Sequence, residues 1–284
     1  MGDLSGKLAF VTGATGGIGK AVATALARQG AIVAVVGRSV ERVDEAMSDI
    51  LAQVPGAKLE PVVCDLSSQA AIRTAVDAFL ARHDTLDILV NSAGVFRKKR
   101  QVTADGLELT FATNVMSYFL FSTLLLPALK RASPSRIVNI ASQYGGTKLD
   151  FDDLQTAAGT YSFLRSTPPT MLARVLLTKE LAERLKGTGV VVNALHPGLA
   201  KNTELLKDVG GFFAWLTNLI GRPAEQAADT AIWLASDPGT ATVSGKFWAK
   251  RKELPTPGMG NDPAAQKRLW EDCSRLAGVS PSPL

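Results

Sequence analysis

The sequence predicts an α/β fold: one domain built on a doubly wound, mostly parallel sheet with helices on both faces. Three observations carry this expectation. Short β-branched runs alternate with helix-length segments from the start of the chain to its last third. The runs are continuously apolar rather than alternating, as strands covered on both faces require. A glycine-rich turn joins the first run to the first helix. No repeat, low-complexity tract or linker interrupts the 284 residues.

Taken in order, residues 7–12 (KLAFVT) read as the first strand, and an alanine-rich helix follows the glycine turn to about Gln29. AIVAVV (31–36) is the second strand, with a helix over 40–53, and KLEPVVC (58–64) the third, with a helix over 68–83. LDILVN (86–91) is the fourth, followed by one long apolar-periodic helix over about 107–131. RIVNIA (136–141) and VVVNAL (190–195) are the fifth and sixth, with a helix over about 169–187 between them. Parallel strands joined in this way need right-handed crossovers. Residues 199–222 are apolar, helical in period and broken by Gly210-Gly211. They follow the carboxyl end of the sixth strand, where open α/β sheets bind ligands, and are expected to form a lid over a hydrophobic substrate. The segment 249–284 is a polar, proline-containing extension with one helix from Pro263 to Leu276.

Composition narrows the function classes. Hydrophobic residues make up 46%, enough for a buried core, and the formal net charge is only +5. The run Arg97-Lys98-Lys99-Arg100 is too short and isolated for a nucleic-acid footprint, so no nucleic-acid partner is expected. Cys64 and Cys273 lie far apart without a CxxC, and the histidines are only His83 and His196, so neither a disulfide framework nor a metal site is indicated. The start lacks a basic and apolar leader, and no stretch reaches membrane-span length. A cytoplasmic protein with no membrane partner is the expectation.

The first strand runs into Thr12-Gly13-Ala14-Thr15-Gly16-Gly17-Ile18-Gly19 and then directly into a helix. Glycines there let backbone amides approach a pyrophosphate, whose charge the helix N-terminus stabilises. This is the arrangement of a Rossmann fold. The second strand ends in Gly37-Arg38-Ser39, with a cation where NAD-preferring folds place an acid. Arginine suits a 2′-phosphate, and Thr15 offers a hydroxyl beside it, so NADP(H) is the expected cofactor.

These residues resemble the short-chain dehydrogenase/reductase family, in its retinol-dehydrogenase-like branch. TGATGGIG is similar to the family's TGxxxGxG, and Asp65-Leu66 lies where an aspartate contacts the adenine. Asn91-Ser92-Ala93-Gly94 resembles the family's NNAG, and Asn114 stands at the position of its helix-four asparagine. Ser142, in RIVNIAS, stands at the catalytic serine, and His196-Pro197-Gly198 resembles the segment beside the nicotinamide. FDDL (151–154), GKFW (245–248) and RLWEDCSRLAG extend the likeness over nearly the whole chain. The resemblance implies cofactor contacts from Gly13, Thr15, Gly16, Gly17, Ile18, Gly19, Arg38, Asp65, Leu66, Asn91, Ala93, Gly94, Pro197 and Gly198. Relatives commonly associate through the two long helices, so a homodimer is an open expectation.

One part departs from the family. Its catalytic Tyr-x-x-x-Lys pair aligns with Thr167 and Met171, anchored by the following LLTKELAERL. Threonine does not titrate near neutrality and methionine carries neither proton nor charge. Pro168 and Pro169 disfavour αR for the residue before each, which predicts a helix start near Pro169. Tyr161 is the local candidate for a surrogate acid, although a structural reading competes. Tyr144-Gly-Gly-Thr-Lys148 has the spacing, but its adjacent glycines oppose a helix and coincidence is the preferred reading. His196 reads as a structural companion of Pro197-Gly198, and Asp150, Asp152 and Asp153 as solvated or capping residues.

Three functions fit, in descending order. The first is a redox-neutral cyclisation or isomerisation of a hydrophobic small molecule, of polyene or polyketide type in secondary metabolism, with Ser142 and Asn114 shaping the pocket. The second is NADPH-dependent reduction of a pre-activated substrate such as an iminium, or with a surrogate proton donor. The third is an NADP(H)-sensing pseudoenzyme.

Overall fold

β1 (Leu8–Thr12) is buried along its whole length, and its side chains divide between two cores. Leu8 and Phe10 point to one face of the sheet, Ala9 and Val11 to the other. That division explains why the strand reads as an unbroken apolar run. The computed structural model describes residues 2–142, 144–201, 221–256 and 258–280.

α1 (Gly17–Arg28), β2 (Ile32–Gly37), α2 (Val40–Gln53), β3 (Lys58–Val63), α3 (Gln69–Leu80) and β4 (Ile88–Asn91) follow in turn. Ser39 caps α2 by accepting from the Arg42 amide, and Ser68 caps α3 by accepting from the Ala71 amide at 3.2 Å. Beyond β4 come α4 (Leu109–Phe111), a π turn (Ala112–Met116), α5 (Ser117–Leu124), α6 (Leu126–Arg131) and β5 (Ser135–Ile140). α7 (Phe163–Arg184), β6 (Val190–Leu195), α8 (Ala224–Ser236), β7 (Phe247–Ala249), β8 (Lys252–Glu253) and α9 (Pro263–Ala277) complete the described elements.

The strands form one sheet in the order β3-β2-β1-β4-β5-β6-β7-β8. Every pairing is parallel except β7 with β8. The order reverses direction between β1 and β4, which opens a crevice at their carboxyl ends. The glycine turn leaves from one side of that crevice and Ser92-Ala93-Gly94 from the other. One core holds Phe10, Phe79, Phe121, Leu176 and Trp270 beneath α3, α5, α7 and α9. The other holds Val11, Val22, Val43 and Ala231 beneath α1, α2 and α8.

Three expectations are corrected. The helix expected over 107–131 is interrupted, because the ladder widens into a π turn around Asn114 and breaks again between α5 and α6. α7 starts at Phe163 and runs through Pro168 and Pro169 rather than starting near Pro169. The prolines withhold hydrogen bonds from the carbonyls of Leu164 and Arg165, both exposed residues, so water can take their place and the helix tolerates the pair. β7, β8 and α8 extend the six-strand pattern. The lid expected over 199–222 lies, for 202–220, outside the described residues. Among the described residues no helix is long and apolar enough to cross a membrane.

α9 closes the first core from outside. Asp262 caps its start by accepting from the Ala264 amide at 2.9 Å, and Gly278 ends it at φ 64°. Trp270 is 2% exposed and meets Phe119 edge-on at 4.8 Å, with the Arg184 guanidinium 4.7 Å above its ring. Trp270→Ala is expected to lower stability by about 3–5 kcal/mol, the usual cost of emptying a buried aromatic site, as measured by urea denaturation.

Candidate active site

The crevice between β1 and β4 is pinned by Thr12. Its hydroxyl accepts from the Ser92 and Ala93 amides at 3.0 and 3.3 Å and reaches the Val90 carbonyl at 3.4 Å. The glycine turn then folds so tightly that a β-carbon on Gly19 would overlap the Gly13 carbonyl oxygen. α1 therefore starts hard against the end of β1. Gly16 at its N-cap supplies no side chain to the first amides, and no acidic residue sits in the first turn. Unfilled amides over a glycine turn fit a dinucleotide's pyrophosphate.

Arg38 stands exposed at the carboxyl end of β2, and Thr15 leans over Gly37 so closely that a β-carbon there would strike its methyl group. Thr15 and Arg38 thus flank one corner of the crevice. Asp65 is exposed just beyond β3, its carboxylate accepting from the Ser67 amide and hydroxyl at 3.0 and 2.8 Å, and Leu66 beside it is partly buried. Asn91 is different: its side chain donates to Asn139 Oδ1 at 2.9 Å and Ser122 Oγ at 3.2 Å inside the sheet. Its side chain is directed into the interior. Ala93 is buried and Gly94 partly so, while Pro197 and Gly198 are partly buried past β6. His196 donates its amide to Trp248, its Nδ1 is buried without a partner, and burial depresses its pKa, keeping the ring neutral.

Asn114 acts as a strut. Its Oδ1 accepts from the Val95 amide at 2.8 Å, and its Nδ2 donates to the Val95 carbonyl at 3.0 Å and to Thr170 Oγ1 at 3.2 Å. The loop after β4 is thereby held to α7. Thr167 is fully buried and its hydroxyl has no hydrogen-bond partner among the described residues. Met171 is buried too, its sulfur 3.5 Å from an Arg174 nitrogen. Ser142 is partly buried in the loop leaving β5.

Tyr161 does not stand free. Its hydroxyl donates to Glu108 Oε1 at 2.9 Å and shares a hydrogen bond with Thr110 Oγ1 at 3.0 Å. The Glu108 carboxylate in turn caps α4 through the Thr110 and Phe111 amides at 2.8 and 2.7 Å. Burial pushes the Tyr161 phenol up, and the nearby Glu108 charge adds to that.

Sequence reasoning assigned no role to Arg174, the central cation of this region. It is fully buried, and its Nε donates to the Asn114 carbonyl at 2.6 Å. Its two terminal nitrogens donate to the Ile140 and Ala93 carbonyls at 2.8 and 2.9 Å. The guanidinium also lies 3.9 Å above the Tyr118 ring. The one signal was a charged residue on the face of α7 that carries Thr167, Met171 and Thr178. Between the loop after β5 and the first turns of α7 lies a cleft of about 500 Å³, lined by Tyr144, Leu149, Leu154, Leu164 and Pro168 and by charged side chains such as Lys148 and Arg165.

The sequence profile for short chain dehydrogenases matches residues 7–156. Human retinol dehydrogenase 13 is 37% identical over 97% of this chain and 86% of its own length. The chain belongs to the short-chain dehydrogenase family. A short chain dehydrogenase from Burkholderia cenocepacia, solved in complex with NADP, superimposes with a TM-score of 0.69 at 28% identity, covering 91% of this chain and 99% of its own. The fold alone is shared with an uncharacterized Mycobacterium paratuberculosis protein, at a TM-score of 0.81, 24% identity, and coverage of 99% and 97%. Membership makes this an oxidoreductase-type fold with a nicotinamide-nucleotide crevice.

In this family member the turn and the helix start share one close contact. Gly19→Ala is expected to destabilise by about 1–3 kcal/mol, as overpacking does, and to abolish dinucleotide binding. Thermal denaturation and a calorimetric nucleotide titration check the two effects separately.

Proposed function

We propose that the protein is an NADP(H)-dependent oxidoreductase acting on a hydrophobic small-molecule carbonyl or iminium, with its acid/base group moved from the usual helix position. The observation that carries this reading is the glycine-lined crevice with Thr15 and Arg38 at its corner. An exposed guanidinium with no carboxylate beside it among the described residues suits a 2′-phosphate. A bound NADPH supplies hydride to an electrophilic carbon. The protein's own residues hold the dinucleotide, orient the substrate, exclude water and manage the proton. Leu149, Leu154, Leu164 and Pro168 give the cleft an apolar part beside its charged Lys148, Asp150, Asp153 and Arg165, which suits a hydrophobic substrate carrying a polar end. Retinoids are the natural first probe, given the relatives.

On our reading of the sequence, Thr167 and Met171 stand where the family has its tyrosine and lysine. The buried, unpartnered Thr167 hydroxyl supports that substitution being a real loss of the acid there. The same observation favours a second reading, a redox-neutral cyclisation or isomerisation with the nucleotide retained as a fixed charge. Incubating the protein with NADPH and all-trans-retinal, and following both retinol and NADP⁺, tests the choice. Equal formation of the two supports the oxidoreductase. Conversion of a polyene without NADPH consumption supports the redox-neutral reading, and no consumption with any carbonyl or iminium overturns the first.

Arg38→Ala is expected to weaken NADPH binding about 10- to 100-fold, the loss of a charge-assisted hydrogen bond worth about 1.5–3 kcal/mol, and to leave NADH binding unchanged. Calorimetric titration with each nucleotide reads the difference.

A further inference from the structure

The chain contains three tyrosines, and the structure treats each differently. Tyr118 is sealed in the core, its hydroxyl donating to the Ala93 carbonyl at 2.9 Å and the Ile140 carbonyl at 3.3 Å. Tyr161 is bound to Glu108 and Thr110. Tyr144 is half-buried, lines the cleft of about 500 Å³, and has no hydrogen bond from its hydroxyl to any described residue. It lies two residues beyond Ser142 in the loop that leaves β5. The last carbonyl of β5, that of Ile140, is bonded to Arg174. A phenol open to the cleft and a buried cation are thus both set by the end of β5, the cation bonded to its last carbonyl and the phenol four residues beyond it.

We propose that Tyr144 is the proton donor of this site, with the buried Arg174 guanidinium, held at the end of the same strand, as its companion cation. The proposal rests on the oxidoreductase reading given above. The two residues reach the site from a loop and from one turn further along α7 than Met171, so they form a tyrosine–cation pair outside the helix positions where such a pair is usual. In carbonyl reduction the substrate carbon accepts hydride from the reduced dinucleotide. The substrate oxygen takes a proton as the Tyr144 O–H bond breaks, and water in the cleft returns a proton to the phenolate.

The electrostatics give a direction. Burial pushes the Tyr144 phenol up, and the Arg174 charge pulls it part of the way back. The other charged groups facing this cleft are Lys148, Asp150 and Asp153 from the same loop and Arg165 from α7. A phenol held above its ordinary value keeps its proton through neutral pH. It serves as an acid for reduction there, and as a base for alcohol oxidation only under alkaline conditions. Arg174 itself has no carboxylate partner among the described residues, so its charge is not cancelled locally. Near neutral pH the phenol therefore stands ready as the acid that reduction needs.

The test has two independent arms. With NADPH and all-trans-retinal, Tyr144→Phe is expected to lower kcat about 10²- to 10⁴-fold, the usual loss on removing an acid/base group, while NADPH binding stays unchanged. An undiminished kcat overturns the proposal. The second arm uses the protein without nucleotide or substrate, following tyrosinate absorbance on alkaline titration, with Tyr144→Phe subtracted to isolate this phenol. Arg174→Met is expected to move the Tyr144 titration to higher pH, and Arg174→Lys, which keeps a cation and guards against a misfolded first variant, to move it less. No movement in either variant overturns the pairing. If the wild-type protein reduces no carbonyl probe, the oxidoreductase reading fails by itself, and the absorbance arm still decides whether Arg174 governs Tyr144.

Discussion

The Arg174 guanidinium brings a full charge into the protein interior with no carboxylate beside it among the described residues, and much of the site is arranged around that fact. Removing such a group from water costs several kcal/mol. Three charge-assisted hydrogen bonds, each worth about 1.5–3 kcal/mol, and stacking over Tyr118 offset it. The acceptors are main-chain carbonyls from the π turn, from the end of β5 and from the loop after β4. One side chain therefore fixes three segments that otherwise share no covalent neighbour. The π turn and Arg174 explain each other: the widened ladder presents the Asn114 carbonyl, and the guanidinium takes it.

The two halves of the crevice are built on different principles. On the β1 side, backbone closeness does the work: Thr12 ties β1 to the loop after β4, and the glycine turn brings the start of α1 against the end of β1. Those features depend on what is missing, namely side chains. On the α7 side, function depends on what is present, a sequence of polar contacts from Asn114 to Thr170 and from Arg174 to three carbonyls. A family can change the second half without disturbing the first, because the two share only the carbonyl of Ala93 and its neighbours.

Most of the sheet was legible in the sequence. A parallel strand buried on both faces leaves a mainly apolar run, as β1, β2, β4 and β6 do, whereas the edge strand β3 is largely exposed and was legible by its place in the alternation of strands and helices. β7 and β8 are too short for any periodic signal, and α8 lies behind a stretch whose apolar residues drew attention elsewhere. The start of α7 was misread for a physical reason: local sterics at Thr167-Pro168-Pro169 argue against a helix, but the carbonyls those prolines orphan are on exposed residues, and packing of Thr167, Met171 and Arg174 outweighs the local preference. The glycine turn and Arg38 were legible because their chemistry is written in consecutive residues. Arg174 was not, because its three acceptors are backbone atoms, 34 to 81 positions away along the chain, and backbone acceptors leave no mark in a sequence.

The way α9 is fastened has a consequence for biosynthesis. Its final carbonyls, of Leu276 and Ala277, accept from Gln69 at 3.1 Å and Arg73 at 2.6 Å, both on α3, while Leu269, Trp270 and Cys273 fill the core that α3, α5 and α7 share. On a ribosome, the whole sheet precedes α9, yet the outer side of the core under α3, α5 and α7 stays open until residue 277 has cleared the exit tunnel. During that interval Phe119 and its neighbours are the surface a chaperone would recognise, and the exposure ends only once α9 has emerged and docked.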